Sequence, residues 1–352
     1  MKTSREITYN IINNLSLYEE FIEQKTFGKS ERTTDAYIVE IRMFLRFVNE
    51  FYKNQIKEEI TTDNIADYCD YFNSRVLNAY RRHLITEYAS SSAQKKLSMA
   101  KTFVYFLGTE GLIDNSFIKD IEEIAVEEKD IVFLTKEERI MLLNSLSIAK
   151  NLNDCSKESR ELYRDFVMIN LLLSSGLRGF EIRELCLDDI NWETNELTFY
   201  GKGDKKQKIR KGTLKKSSVR ISDDVKKYLL NYINNFRYET DEDYEFKDTV
   251  FTTKNKTRMS QNSLSNLIKK RCREAGISED RVKLIAPHRL RATYITSLVE
   301  KGLHITIIKQ LARHKSINAT VRYTGMELDL AKDVANELLN DYYNSFNLQK
   351  VV

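Results

Sequence analysis

His288 and Arg291 stand three residues apart in the stretch IAPHRLRATYIT, residues 285–296, directly behind Pro287, the only proline in a chain of 352 residues. Proline is accommodated best at the first position of a helix, where its missing N–H would have had no partner in any case. The stretch therefore predicts a helix that starts at Pro287. A spacing of three puts His288 and Arg291 on one face of that helix, with the positive end of its dipole behind them. Such a surface suits a phosphate group. A histidine and an arginine at this spacing are common, so their weight depends on what accompanies them.

Four more segments do: SGLRGFEIREL, with Arg178 and Glu181 one helical turn apart; GKG, with Lys202; LARHKS, with His314; and VRYTG, with Tyr323. In this order, and together with PHRLR, they resemble the catalytic segments of the tyrosine recombinases, the family of phage integrases and Xer-type recombinases. The resemblance runs from about Thr135 to Tyr323. It implies that Arg178 is the first catalytic arginine, Glu181 its supporting acid, Lys202 the lysine of a β-hairpin, His288 and Arg291 the HxxR pair, His314 the later His-or-Trp position and Tyr323 the nucleophile. One departure is Ala292, where a histidine is common in the family, and it does not touch the chemistry. The helical segment SAQKKLSMAKTFVYFLGTEGLI resembles the family's core-binding domain, and no separate arm-binding domain is expected ahead of it.

The residue types suit the reaction for physical reasons. Attack of a phenol on a phosphodiester builds negative charge on two non-bridging oxygens, and the guanidinium forks of Arg178 and Arg291 match that geometry and stay charged. His314 can add a hydrogen bond. A tyrosine hydroxyl ionises only near pH ~10, so Tyr323 needs a base or cationic surroundings to attack at neutral pH, and His288 is the candidate base. The departing 5′ oxygen needs a proton, for which Lys202 is the candidate acid. A covalent tyrosyl ester keeps the bond energy, so no metal, ATP or other cofactor is expected. Each residue also has a plainer reading: Arg178 and Glu181 as a surface ion pair, or Tyr323 as one of 19 tyrosines in packing. His304, in LHITIIKQL, matches no catalytic position.

The segment KGDKKQKIRKGTLKKSSVR, residues 202–220, carries nine basic residues against Asp204 alone. It is longer than the family's usual hairpin, so Lys205 or Lys206 is an alternative to Lys202 as the acid. Lys205, Lys206, Lys208, Arg210, Lys211, Lys215 and Lys216 are read as contacts to the DNA backbone, which are independent of base sequence and sensitive to salt.

These residues need a scaffold. From Leu15 to about Leu112 the pattern is helical, as in TTDAYIVEIRMFLRFVNEFY, with a helix start offered by Thr61, Thr62 and Asp63 and a stop by Gly111. An acidic stretch, DIEEIAVEEKDIVF, separates it from LTKEERIMLLNSL, where Thr135 opens a helix with Glu137 and Glu138 in its first turn. RDFVMINLLLSSGLRGFEIREL reads as a buried helix stopped by Gly176, a corner carrying Arg178 and a short second helix. DDINWETNELTFYGKG and SSVRIS alternate and predict a small antiparallel sheet, after which the chain returns to helices. The expected fold is mainly α with a small antiparallel β-sheet: a helical core-binding domain over residues 1–125, a linker over 126–133, and a mixed α/β catalytic domain over 134–352.

Charge divides the same way. Residues 1–128 hold 16 basic and 21 acidic residues, a balance of −5, and the remainder holds 56 − 16 = 40 against 52 − 21 = 31, a balance of +9. That asymmetry points to a polyanionic partner for the second part. No apolar run reaches the roughly 20 residues of a membrane span, and a cytoplasmic location is expected. Cys69, Cys155, Cys186 and Cys272 have neither metal-ligand nor disulfide-framework spacing. The expected activity is site-specific recombination through a 3′-phosphotyrosine and a free 5′-hydroxyl, by two domains clamping duplex DNA. The resemblance implies double-stranded DNA with inverted-repeat half-sites, a homotetramer on two sites, accessory proteins that set direction, and docking of the C-terminal helix (Leu330, Val334, Leu338, Leu339) into a neighbouring protomer. The alternatives are a type IB topoisomerase and a DNA-binding regulator with a vestigial active site.

Overall fold

The computed structural model describes residues 21–22, 31–58, 60, 68–127, 130–152, 154–200 and 216–324. The chain divides into two compact units, residues 1–129 and 130–352.

The first unit is helical among its described residues: α1 (Glu31–Phe51), α2 (Ser74–Glu87) and α3 (Ser90–Thr109). The three- and four-residue spacing read from α1 becomes its inner face, where Ile41, Phe44, Leu45 and Val48 are fully buried. Phe44 packs on Tyr80 of α2 with ring centroids 4.9 Å apart. Asn73 caps α2, its side chain accepting from the Val76 N–H at 3.1 Å, and Gly111 follows α3 with φ +74°. The start expected at Thr61–Asp63 lies outside the described residues.

In the second unit α4 (Lys136–Leu146) opens on a reciprocal cap. Thr135 Oγ1 accepts from the Glu138 N–H at 3.2 Å, and Glu138 accepts from the Thr135 N–H at 2.9 Å, satisfying two donors the helix leaves open. The central element is α5 (Lys157–Ser175), buried along most of its length. It carries Asp165, 2% exposed, which pairs with Arg164 at 2.8 Å and with Arg271 of α8 (Gln261–Glu274) at 2.8 Å. The short α6 (Gly179–Glu184) leads into a three-stranded antiparallel sheet, β1 (Ile190–Asn191), β2 (Glu196–Tyr200) and β3 (Lys216–Arg220), in sequential order. Leu197 and Phe199 of β2 point into the core. Register runs from Glu196↔Arg220 to Tyr200↔Lys216, so the basic segment joins two paired strands.

After α7 (Asp223–Asn231), α8 and α9 (Glu279–Leu284) come the helices that bear on the site: α10 (Pro287–Glu300), α11 (Ile305–Ala312) and α12 (Asn318–Thr324). α10 begins at Pro287 as its sequence predicts. A small apolar cluster of Ala292, Tyr294, Ile295, Ile308, Ala312 and Tyr323 joins these three helices.

Candidate active site

The site is built on the corner after α5. Gly176 ends that helix in the left-handed conformation, φ +59°, and a Cβ on it would lie 2.3 Å from Tyr294 Cδ1 of α10. Both constraints require glycine. The turn delivers Arg178, extended at φ −74° and ψ 150°, to the start of α6. Glu181, one turn on, accepts from the Arg178 N–H at 2.8 Å and from Arg178 Nη1 at 2.7 Å. The carboxylate therefore fixes both the backbone and the fork of the arginine.

Arg291 enters from α10 with 1% exposure. Its Nη1 donates to the carbonyl of Gly176 and its Nη2 to the carbonyl of Ala312. Arg178 Nη2 donates to the carbonyl of Arg313 at 3.2 Å. These acceptors lie at the C-terminal ends of α5 and α11, where a helix leaves carbonyls without partners. Burial, then the charges of Arg178 and Arg313, bring Arg291 down to about 10, so it remains a cation at neutral pH.

Arg313 is a third guanidinium in the same place. It donates from Nη2 to Glu181 at 2.9 Å and to the carbonyl of Gly176 at 3.2 Å. Burial pushes the Glu181 carboxyl up, but Arg313, the Arg178 N–H and the Arg178 guanidinium outweigh it and hold Glu181 ionised below the usual carboxylate range. Sequence reasoning missed Arg313. The only signal was a large cation one residue before His314, at a helix end where glycine is the usual stop.

The histidines sit in this positive field as neutral groups. His314 Nδ1 is 2.8 Å from Thr320 Oγ1. Burial, then Arg291, Arg178, His288 and Arg313, lower its ionisation to about 4. A neutral imidazole that accepts from Thr320 at Nδ1 carries its proton on Nε2, and that tautomer is the one able to donate outward. His288, exposed at the start of α10, is lowered by partial desolvation and by Arg291, Arg289 and Arg178. Tyr323 in α12 is 7% exposed, its ring centroid 6.2 Å from that of His314. Burial raises its hydroxyl above 10.0, against the pull of Arg291, Arg322 and Arg289, so it needs a proton acceptor to react.

The structure thus brings Arg178, Glu181, Arg291, His314 and Tyr323 together, with His288 within reach of the arginines' field. Lys202, Lys205, Lys206, Lys208, Arg210, Lys211 and Lys215 lie outside the described residues. Lys216 is on β3, its backbone opposite Tyr200. The tail with Leu330, Val334, Leu338 and Leu339 also lies outside them. Tyr294 is 8% exposed and packs over Gly176. His304 caps α11, its Nδ1 2.7 Å from Thr306 Oγ1. Among the described residues no cluster of three or more His, Cys, Asp or Glu is arranged to hold a metal. No helix among them is long and apolar enough to cross a membrane.

Residues 146–327 match the model of the phage integrase family. Along 92% of its length the chain is 26% identical to a protein named tyrosine recombinase from Agathobacter rectalis, covering 95% of that protein. It is also 26% identical to tyrosine recombinase XerD of Staphylococcus haemolyticus, over 94% of the chain and 98% of the relative. Among solved structures, the Tn1549 transposon integrase with a circular intermediate DNA is matched at a TM-score of 0.63 and 13% identity, over 96% of this chain and 100% of that one. The XerH site-specific recombinase bound to palindromic difH substrate is matched at 0.63 and 15%, over 93% and 86%. At these identities the structural likeness is one of fold.

Proposed function

The chain belongs to the phage integrase family and is a tyrosine recombinase, breaking and rejoining DNA at specific sites through a tyrosine-linked intermediate; from this premise we propose that Tyr323 is the tyrosine and that Arg178, Arg291 and His314 hold the phosphate it attacks. The observation that carries this reading is the convergence of two guanidinium forks on one corner, each fixed by main-chain carbonyls or by Glu181. Donors fixed before the reaction need no rearrangement as charge develops, which is where such groups lower a barrier most.

In the proposed step Tyr323 Oη bonds to phosphorus, its proton passes to His288, and the bond to the 5′ oxygen breaks as that oxygen takes a proton from Lys202. The products are a 3′-phosphotyrosine and a 5′-hydroxyl. Attack by a 5′-hydroxyl from another strand reverses each transfer and rejoins the DNA. The basic segment of residues 202–220 provides sequence-independent backbone contact. The first unit is a further DNA-binding element, and the partner is duplex DNA with inverted-repeat half-sites, cut by four protomers on two sites with direction set by accessory proteins. The C-terminal tail links neighbouring protomers, and the work is done in the cytoplasm. Relatives that bear the recombinase name over nine-tenths of the chain favour this reading over a type IB topoisomerase.

The test begins with Tyr323→Phe. This variant keeps the ring and loses only the attacking oxygen, so it should bind DNA, select half-sites from a randomised duplex pool, and form no adduct. Wild-type protein on a nicked duplex carrying a selected half-site should give a denaturation-resistant adduct. Adduct from Tyr323→Phe would move the role to another tyrosine.

A further inference from the structure

Arg313 has no part in the step just described, yet it touches three of the segments that supply it. It closes α11 with φ 54°, a left-handed backbone that glycine adopts freely and a residue with a Cβ adopts at a cost. Its side chain is 11% exposed. Nη2 is shared between Glu181 at 2.9 Å and the carbonyl of Gly176 at 3.2 Å. The guanidinium lies 4.8 Å from the centroid of Phe199, on the strand that runs toward Lys202. Its own carbonyl accepts from Arg178 Nη2, and the next residue is His314.

Two features set Arg313 apart from Arg178, whose side chain is 46% exposed. Nε and Nη1 are buried and have no hydrogen-bond partner among the described residues, and Nη2 is already used twice. Nε and Nη1 are closed to solvent, so neither can meet a phosphate. Buried donors without partners and a left-handed arginine both cost stability. What the side chain supplies in return is a second cation on Glu181. Without it that carboxylate would serve Arg178 alone, and only Arg178 and Arg291 would be left to oppose it, so the net positive charge offered to the phosphate would fall.

Resting on the proposed reading, we infer that Arg313 is a positioning residue of the cleavage step: it fixes Glu181, and through it the Arg178 fork, against the turn that carries His314. Arg313→Gly is the informative variant, because glycine suits the left-handed backbone and removes the unpartnered donors. A residue that merely holds the fold together would lose stability on this change. A positioning residue of this kind should leave a protein that melts no lower than wild type and binds DNA as well, yet reacts slowly.

The experiment uses the full-length chain and a nicked duplex carrying a half-site selected with Tyr323→Phe. For Arg313→Gly, adduct formation under single-turnover conditions should slow about 10²-fold, the scale of a catalytic group displaced by about 1 Å, with half-site affinity unchanged. A 5′-bridging phosphorothiolate, whose sulfur leaves without a proton, should not restore the rate, because the damage lies in the phosphate clamp. Arg313→Lys, which keeps a cation beside Glu181 but not the fork, should fall between glycine and wild type, and it carries the test if the glycine variant does not fold. A wild-type rate in Arg313→Gly, loss of rate matched by loss of affinity, or rescue by the phosphorothiolate would each overturn the assignment. A wild-type chain that forms no adduct would instead refute the proposed function itself.

Discussion

Replacing Gly176 with alanine tests the corner on which the arginines are hung. At φ +59° a residue with a Cβ costs about 1–2 kcal/mol relative to glycine. The added methyl would also lie 2.3 Å and 2.8 Å from two ring carbons of Tyr294, which is itself buried. Overpacking of that kind costs about 1–3 kcal/mol, so the two terms give about 2–5 kcal/mol together. Trp192, the only tryptophan, lies in the second unit and packs against its core, so its fluorescence reports that unit's unfolding in urea. The midpoint should fall with the slope unchanged. Tyr294→Ala supplies the second arm of a double-mutant cycle: with the ring gone the clash disappears and only the backbone term remains. The double variant should be more stable than the sum of the single changes by about 1–3 kcal/mol. A Gly176→Ala midpoint equal to that of wild type, or strict additivity with Tyr294→Ala, would refute the account of the corner.

Asp165→Ala leaves Arg164 and Arg271 buried without their shared carboxylate and should cost about 3–5 kcal/mol in the same urea titration, with no direct effect on Tyr323. His314 takes a proton at about 4 in the folded chain and near the ordinary imidazole value of 6.5 when unfolded. Because the folded value is the lower one, the unfolded state binds the proton first, and the second unit should lose stability as pH falls from 6.5 toward 4; His314→Gln should reduce that loss in melts between pH 7 and pH 5. Lys202→Ala should abolish cleavage of a normal phosphodiester and recover it on the 5′-bridging phosphorothiolate. Recovery by Lys205→Ala or Lys206→Ala instead would move the acid along the lengthened hairpin.

Much of this architecture was legible because it is punctuated by residues with few alternatives. Pro287 starts α10, Gly176 stops α5, and Thr135 with Glu138 caps α4, each through a local preference that needs no tertiary information. The alternation of β2 was equally plain, since Leu197 and Phe199 face the core. Arg313 was not legible. Its contact with Phe199 and its hold on Glu181 depend on segments more than a hundred residues away in sequence. Thr320 was not legible either, although it is only six residues from His314, because its value lies in how the turn before α12 folds back on the imidazole. The sequence also gave no sign that Arg291 would be anchored by the carbonyl of Ala312, because a carbonyl belongs to every residue alike.

That anchoring sets what substitution can and cannot reveal about this enzyme. The carbonyls of Gly176, Ala312 and Arg313 hold the three guanidinium groups, and no exchange of side chain removes a carbonyl. Ala312 is already alanine, so an alanine scan passes over it. A map of activity drawn from such a scan would mark the arginines as indispensable and leave the carbonyl of Ala312 unseen. Position 312 should accept any side chain small enough for a site with no exposed surface, while tolerating almost no shift of its backbone. An ester in place of the following amide, which weakens the carbonyl as an acceptor, would reach what mutation leaves untouched.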